Sequence, residues 1–364
     1  MLQNQQWQLA RKPPGGYPQQ GDYQWLSAAA PQPAVNQLLS RALYLSLDPY
    51  QWGRRRSGVE AVGEVCHGRT VSQVIKSRHS DYQEGDIIFN SLGWQQYGLT
   101  GEGISVFNYM LPRKLDTLLA PISTALGVLG MLGLTAYAGT LLQCKPVAGE
   151  TFVVSAAAGG VGQLAGQLAK IAGARVVGIA GAQVKCDFLT EQLGFDAAVS
   201  HLSDDFEQQL AQACPDGVDC YFENVGGKVF AALLPLFNQR ARISRCGLIS
   251  QYGNTDGLDP ASSWQAQGQA CFDRNNMGVH SLFVGDFVSQ YQDQFLAEMA
   301  AWVTDGSIQY KEHLWQGLEQ APAAFDALLR GDNFGKSLVA LGPDPTLTET
   351  ISLRRASGNI LSPS

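Results

Sequence analysis

Thr151-Phe-Val-Val-Ser-Ala-Ala-Ala-Gly-Gly-Val-Gly162 and the stretch that follows it, as far as Gly181, decide the fold. Thr151–Ser155 is a short apolar run and predicts a strand. Ala156–Gly162 is a turn of small residues. Gln163 to about Ala172 predicts a helix, and Ala174-Arg-Val-Val-Gly-Ile-Ala-Gly181 a second strand. The unit is β-α-β, with a phosphate-binding loop at its first turn. A pyrophosphate needs backbone N–H groups and the positive end of a helix dipole. It can approach only where side chains are absent, so Ala158, Gly159, Gly160, Val161 and Gly162 are the candidate contacts. Gly162 and Gly166 share one helix face, which can then lie close to the sheet. The spacing G-x-G-x-x-G is not met, because Ala156 and Ala157 stand where an earlier glycine would be. The position between two strands is what gives the loop its meaning.

The end of the second strand selects the nucleotide. An NAD site places Asp or Glu there, to accept from the ribose 2′-hydroxyl. This chain reads Gly181-Ala-Gln-Val-Lys185. No carboxylate is present to repel a 2′-phosphate, and a lysine follows one turn into the next helix. Gly181 and Lys185 are therefore candidate contacts to NADPH.

Length and composition fit this reading. The 364 residues suggest about two domains, and 45% are hydrophobic against 16% charged, enough for a sizeable core. The net charge of −7 argues against nonspecific nucleic-acid or anionic-membrane partners. The N-terminus has no charged-then-apolar signal pattern. Ala120–Leu142 comes nearest to a membrane span, but its Gly, Pro and Thr interruptions read as a buried helix and its approach. Seven cysteines include no C-x-x-C pair, and five histidines no H-x-x-x-H pair, so no metal is expected. The cysteines read as buried hydrophobes of a cytoplasmic protein.

Along the chain, residues 1–122 carry short strand signals: Gln37–Leu45, Gly68–Ile75 and Gly85–Phe89. From about Leu126 to Phe287 strands alternate with helices, as in a doubly wound parallel sheet. Later strands are predicted at Val218–Phe222 and Ala241–Cys246, and a helix at Phe295–Asp305. Gly331–Leu341 reads as a turn and a strand that rejoins the first domain. Pro343–Ser364 is polar and aperiodic, and reads as a mobile tail.

Five further motifs point to one family. Tyr44-Leu-Ser-Leu-Asp-Pro-Tyr50, Ala156–Gly162, Phe222-Glu-Asn-Val-Gly-Gly227, Arg242–Tyr252 and Gly331-Asp-Asn-Phe-Gly-Lys336 occur in order. Together they resemble the zinc-free medium-chain dehydrogenase/reductase family of prostaglandin and alkenal double-bond reductases, in texture the branch of the bacterial curcumin reductases. The resemblance covers roughly residues 5–342. It implies an α/β architecture: a GroES-like β-rich domain (1–122, completed by 306–342) and a Rossmann NADP-binding domain (123–305). It implies NADPH-dependent reduction of the C=C bond of enones, alkenals or curcumin-like molecules, without zinc, and a homodimer. It assigns cofactor contacts to the glycine loop, Lys185, His201, Asn224, Cys246, Gly247, Tyr252 and Asn333. His201 stands where relatives have tyrosine, and would serve a phosphate best when protonated.

In that chemistry, hydride reaches the β-carbon and leaves an enolate. A donor aimed at its oxygen stabilises the transition state, and a proton must reach the α-carbon. Tyrosine offers an O–H at neutral pH. The candidates are Tyr252, at a strand end, and Tyr50, in the Asp-Pro-Tyr turn; Asp48 reads as closing that turn. Two departures concern the substrate. The loop Gln51–Glu60 is shorter than in relatives and lacks their substrate-contacting tyrosine. Gly278-Val-His-Ser-Leu-Phe283 replaces a more apolar lining. Quinone reduction, or NADPH binding without turnover, are the alternatives that stay open.

Overall fold

The structure is a computed structural model and describes residues 2–106 and 110–347. The β-α-β unit lies at the centre of a parallel sheet. Its strands are β1 (Thr151–Ser155), β2 (Arg175–Ala180), β3 (Ala197–Ser200), β4 (Val218–Glu223), β5 (Phe237–Arg245) and β6 (Gly278–Ser281). They lie side by side in the order β3-β2-β1-β4-β5-β6, all parallel. The order reverses between β1 and β4. Ligands of such sheets bind at the carboxyl ends of the strands beside that reversal. Helices cover both faces of the sheet centre, where all of Thr151–Ser155 is buried. One core lies on each face: Phe152, Val154, Leu164, Leu168, Phe222 and Phe295 on one, Val153, Tyr221, Phe230, Ile243 and Trp264 on the other.

A second, mostly antiparallel sheet is built around the long strand Gln37–Ser46. It pairs with Thr70–Ser77 and Tyr97–Gly101, while Ile87–Asn90 continues the sheet beyond Thr70–Ser77. Lys336–Ala340 joins its other side, with Glu312–Gln316 parallel to it at the margin. The segment Gly331–Leu341 thus returns to the first part of the chain as expected. Gln3–Leu9 and Tyr23–Ala29 form a separate two-stranded ribbon.

Several expected boundaries move. The first helix runs Gly162–Ile171. β5 begins at Phe237, four residues before the expected start, and ends at Arg245. The helix expected at Phe295–Asp305 begins at Gly285, because its first half is amphipathic only weakly and lies half exposed. The expected Asp48-Pro-Tyr turn is present, with Gln51 N–H donating to Asp48 O (3.1 Å), and it runs directly into a helix, Tyr50–Ser57, capped by Gly58 with a left-handed φ of 82°. Most of the tail, residues 348–364, lies outside the described residues. Among the described residues, no helix is long and apolar enough to cross a membrane.

Candidate cofactor and catalytic site

The glycine loop is closed by its own backbone. Gly159 N–H donates to Ala156 O (2.9 Å), and Ala156 itself takes a left-handed φ of 48°. A Cβ on Gly162 would lie 2.3 Å from Ala156 O, and one on Gly160 2.5 Å from Leu132 Cδ2 and 3.2 Å from Lys336 Cδ. These glycines are required by space, not by φ. The shared face of Gly162 and Gly166 differs from expectation: a Cβ on Gly166 would strike the ring of Phe195 at 2.0 Å, so the close partner there is a side chain leading into β3, not the sheet.

The late loop is tied to this turn. Gly335 N–H donates to Ala158 O (2.9 Å), and Gly159 and Gly335 form a parallel bridge. The Asn333 side chain donates to Gly335 O (2.8 Å). Asn333, Ala158 and the glycines are therefore one construction, although 170 residues of sequence separate its halves.

Basic groups gather beyond β2. His201 N–H donates to Ala180 O (2.9 Å), and a Cβ on Gly181 would face His201 Nε2 at 3.7 Å. Lys185 Nζ donates to Gly331 O (2.7 Å), and Lys228 Nζ to His201 O (2.7 Å). Lys228 was not anticipated; the signal is its place directly after Gly226-Gly227, at the head of the helix Gly227–Leu233. The buried His201 Nδ1 has no hydrogen-bond partner. Burial, then the charges of Lys228 and Lys185, hold its imidazole below the usual range. A bound phosphate would act against that shift and favour the protonated ring. A side-chain-free loop at one end and an unpartnered ring nitrogen between two lysines at the other fit a nucleotide carrying several phosphates.

The ends of β4 and β5 lie beside this loop. The Asn224 side chain donates to Ser155 O (2.8 Å), and its N–H to Ser155 Oγ (2.9 Å). Both Cys246 and Gly247 N–H donate to Glu223 O. Glu223, also unanticipated, anchors the corner. Its carboxylate accepts from Tyr221 Oη (2.7 Å), the N–H groups of Val225 and Gly226, and Trp264 Nε1 (2.9 Å). Burial nevertheless raises its pKa. Burial likewise pushes the Cys246 thiol up to about 12, so it is no nucleophile.

The two tyrosines differ in setting. Tyr252 lies past a short helical turn, Ile249–Gln251, rather than at a strand end. Its carbonyl accepts from Arg56 Nη1 (2.5 Å), and burial followed by the nearby Cys246 raises its hydroxyl pKa. Tyr50 Oη lies 2.8 Å from His67 Nε2. Behind it stands a buried charge cluster. Asp48 accepts from Arg69 Nη2 (2.6 Å) and Ser46 Oγ (2.7 Å), and Lys336 Nζ stands 3.2 Å away. Burial raises the Asp48 carboxyl, but Arg69 and Lys336 outweigh it and hold it well below the carboxylate range. Asp48 thus does more than close a turn: its one carboxylate pairs with two buried cations.

Two cavities flank the tyrosines. A small apolar one, about 100 Å³, is lined by Phe89, Met110, Met131 and Phe295, with Arg69 at its wall. Tyr50, Met110 and Met131 pack in one cluster. A cleft of about 650 Å³ runs between Trp52, Arg56 and Ser57 on one side and Gln251, Tyr252 and Asn254 on the other. Among the described residues, no three His, Cys, Asp or Glu side chains are grouped to hold a metal ion.

Comparison with known proteins gives consistent matches. Residues 5–106 match the model of an N-terminal domain of oxidoreductase, and residues 160–300 that of a zinc-binding dehydrogenase. The chain is 42% identical to the NADPH-dependent curcumin reductase of Escherichia coli (strain K12), over 94% of this chain and 98% of that one. It is 36% identical to prostaglandin reductase 1 of Mus musculus, over 93% and 99%. The solved structure of CurA from Vibrio vulnificus in complex with NADPH superimposes with a TM-score of 0.84, at 42% identity, over 93% of this chain and all of that one.

Proposed function

The chain belongs to the curcumin reductase and prostaglandin reductase family of medium-chain dehydrogenases/reductases, and from that premise we propose that it reduces the C=C bond of α,β-unsaturated ketones and aldehydes with NADPH. One observation carries the reading. The Lys336 stem lies against Gly160 of the phosphate loop, and its ammonium stands 3.2 Å from Asp48, two residues before Tyr50. A single side chain thus spans from the cofactor loop to the segment that carries the acid–base tyrosine.

The bound nicotinamide supplies the hydride. The chain's own residues do the rest. Ala158–Gly162, Asn224, Cys246, Gly247 and Asn333 hold the dinucleotide, while Gly181, Lys185, His201 and Lys228 receive the 2′-phosphate. Tyr50 hydrogen-bonds the substrate oxygen and protonates the α-carbon, and Tyr252 lines the neighbouring cleft. A mostly apolar cavity with Arg69 and Arg113 at its wall suits an apolar molecule that carries a carbonyl oxygen. Residues 1–122 with 306–342 form the substrate-side domain, and residues 123–305 the nucleotide domain.

We also place the protein in the cytoplasm, where its seven free cysteines stay reduced. It is a homodimer joined at β6, the outermost strand of the parallel sheet, and light scattering tests that state. The function is tested by following oxidation of NADPH and NADH with an alkyl enone, an alkenal, curcumin and a quinone. Turnover of NADPH with an enone, exceeding that with NADH or the quinone, is expected. No turnover with any enone overturns the reading.

A further inference from the structure

His67 has no part in the reading above, yet its ring faces the proposed acid. Tyr50 Oη lies 2.8 Å from His67 Nε2, and the two rings are tilted at 59° with centroids 5.9 Å apart. The Arg69 guanidinium also interacts with the tyrosine: its positive form is favoured by Asp48 and then Tyr50 against the cost of burial. Arg69 is completely buried and lines the apolar cavity. Resting on the assignment of Tyr50 as the proton donor, we propose that His67 is a positioning residue for the Tyr50 oxygen and, with the positive charge of Arg69 adding to the effect, holds it as tyrosinate once it has given up its proton.

The step balances as follows. Hydride addition to the β-carbon leaves an electron pair on the enolate. The Tyr50 O–H bond breaks, a C–H bond forms at the α-carbon, and the negative charge passes to the tyrosine oxygen. Solvent then returns one proton to Tyr50, giving the overall uptake of one hydride and one proton. With its own proton on Nε2, the neutral imidazole donates to the tyrosine oxygen, so the tyrosine proton is not given to His67.

The surroundings keep that ring neutral. His67 faces Arg54 and Arg55 from the helix Tyr50–Ser57, Arg69 from its own strand approach, and Asp48 from the preceding loop; Glu60 accepts its backbone N–H (3.0 Å). Burial, then the three arginines, bring its pKa down to about 3. It therefore supplies a hydrogen bond without titrating in the working range. A donor and a cation at one oxygen both favour the ionised phenol.

The test needs no substrate for its first readout. The tyrosinate absorbance of the wild type is titrated against Tyr50→Phe, which isolates the Tyr50 midpoint. In His67→Leu that midpoint rises by about one pH unit or more. In the same variant kcat falls about tenfold with KM little changed, and the alkaline limb of the kcat profile moves upward. His67→Gln, whose side-chain amide can donate in the same place, restores both. A melting curve and NADPH binding confirm that each variant is folded. An unmoved midpoint and alkaline limb in folded His67→Leu overturn the proposal, as does wild-type kcat in Tyr50→Phe. Lack of turnover in the wild type would instead overturn the function reading, and the Tyr50 titration would still decide this one.

Discussion

Lys336 Nζ stands 3.2 Å from Asp48 Oδ1, and both side chains are withdrawn from solvent. Burial brings the Lys336 pKa down to about 8, with Asp48 opposing that shift and Arg69 adding to it. The carboxylate thus serves two cations at once. Removing it takes the paired carboxylate from Arg69 and leaves Lys336 only the more weakly acting Glu312. Asp48→Asn is expected to cost about 3–5 kcal/mol in denaturant unfolding, as for other broken buried pairs. Lys336→Met, which keeps the apolar stem and leaves Asp48 its Arg69 bond, should cost clearly less.

The basic cluster beyond β2 makes a prediction about cofactor choice. Lys185 is half buried and hydrogen-bonded to Gly331 O; burial lowers its pKa, with Asp332 opposing. Lys185→Ala should weaken NADPH binding about 10–100-fold, the worth of a charge-assisted hydrogen bond, and leave NADH binding unchanged. Lys228→Ala should act in the same direction and less strongly, because Lys228 is exposed. Fluorescence titration with each nucleotide measures both. Equal losses for NADPH and NADH would place these lysines away from the 2′-phosphate.

His67 gives the stability a pH dependence of known sign. Its pKa is about 3 in the folded chain and 6.5 when unperturbed. Between those values the unfolded state binds the extra proton, so stability rises with pH through this window and levels off above it. The slope is up to about 1.4 kcal/mol per pH unit. Asp48 acts in a lower window: its pKa is depressed, so its contribution is lost only below the ordinary carboxylate value of 3.8. Unfolding midpoints from about pH 4 to 6.5 should show a shallower slope in His67→Gln than in the wild type.

Gly166 tests the packing under the phosphate loop. A Cβ there would lie 2.0 Å from the Phe195 ring. Gly166→Ala should destabilise by about 1–3 kcal/mol despite alanine's better helix propensity, since the ring is buried and has to shift. Calorimetric melting decides it. An unchanged or raised melting temperature would show that Phe195 yields freely.

The nucleotide-binding half was legible because its signals are local. A strand, a glycine turn and a helix follow one another within Thr151–Ile171, and the missing acid after β2 is read from five consecutive residues. The return of Lys336–Ala340 to the antiparallel sheet of the first part of the chain was legible from a glycine turn and an apolar run. What escaped depends on contacts distant in sequence. Lys228 meets His201 across 27 positions, and Glu223 meets Trp264 across 41. No spacing rule connects them. The turn at Asp48-Pro49-Tyr50 was legible, but not the helix it opens, Tyr50–Ser57, although proline is well suited to starting one. His67 was overlooked since a lone histidine carries no pattern; only the folded chain brings it to Tyr50.

The central claim is that hydride and proton reach different carbons of one double bond. The most direct measurement uses NADPH deuterated on the transferred face, with an alkyl enone in ordinary water, and locates deuterium in the product by NMR. The account predicts one deuterium at the β-carbon, none at the α-carbon, and an intact carbonyl. Deuterium on the carbonyl carbon, or a product with its double bond intact, would contradict it.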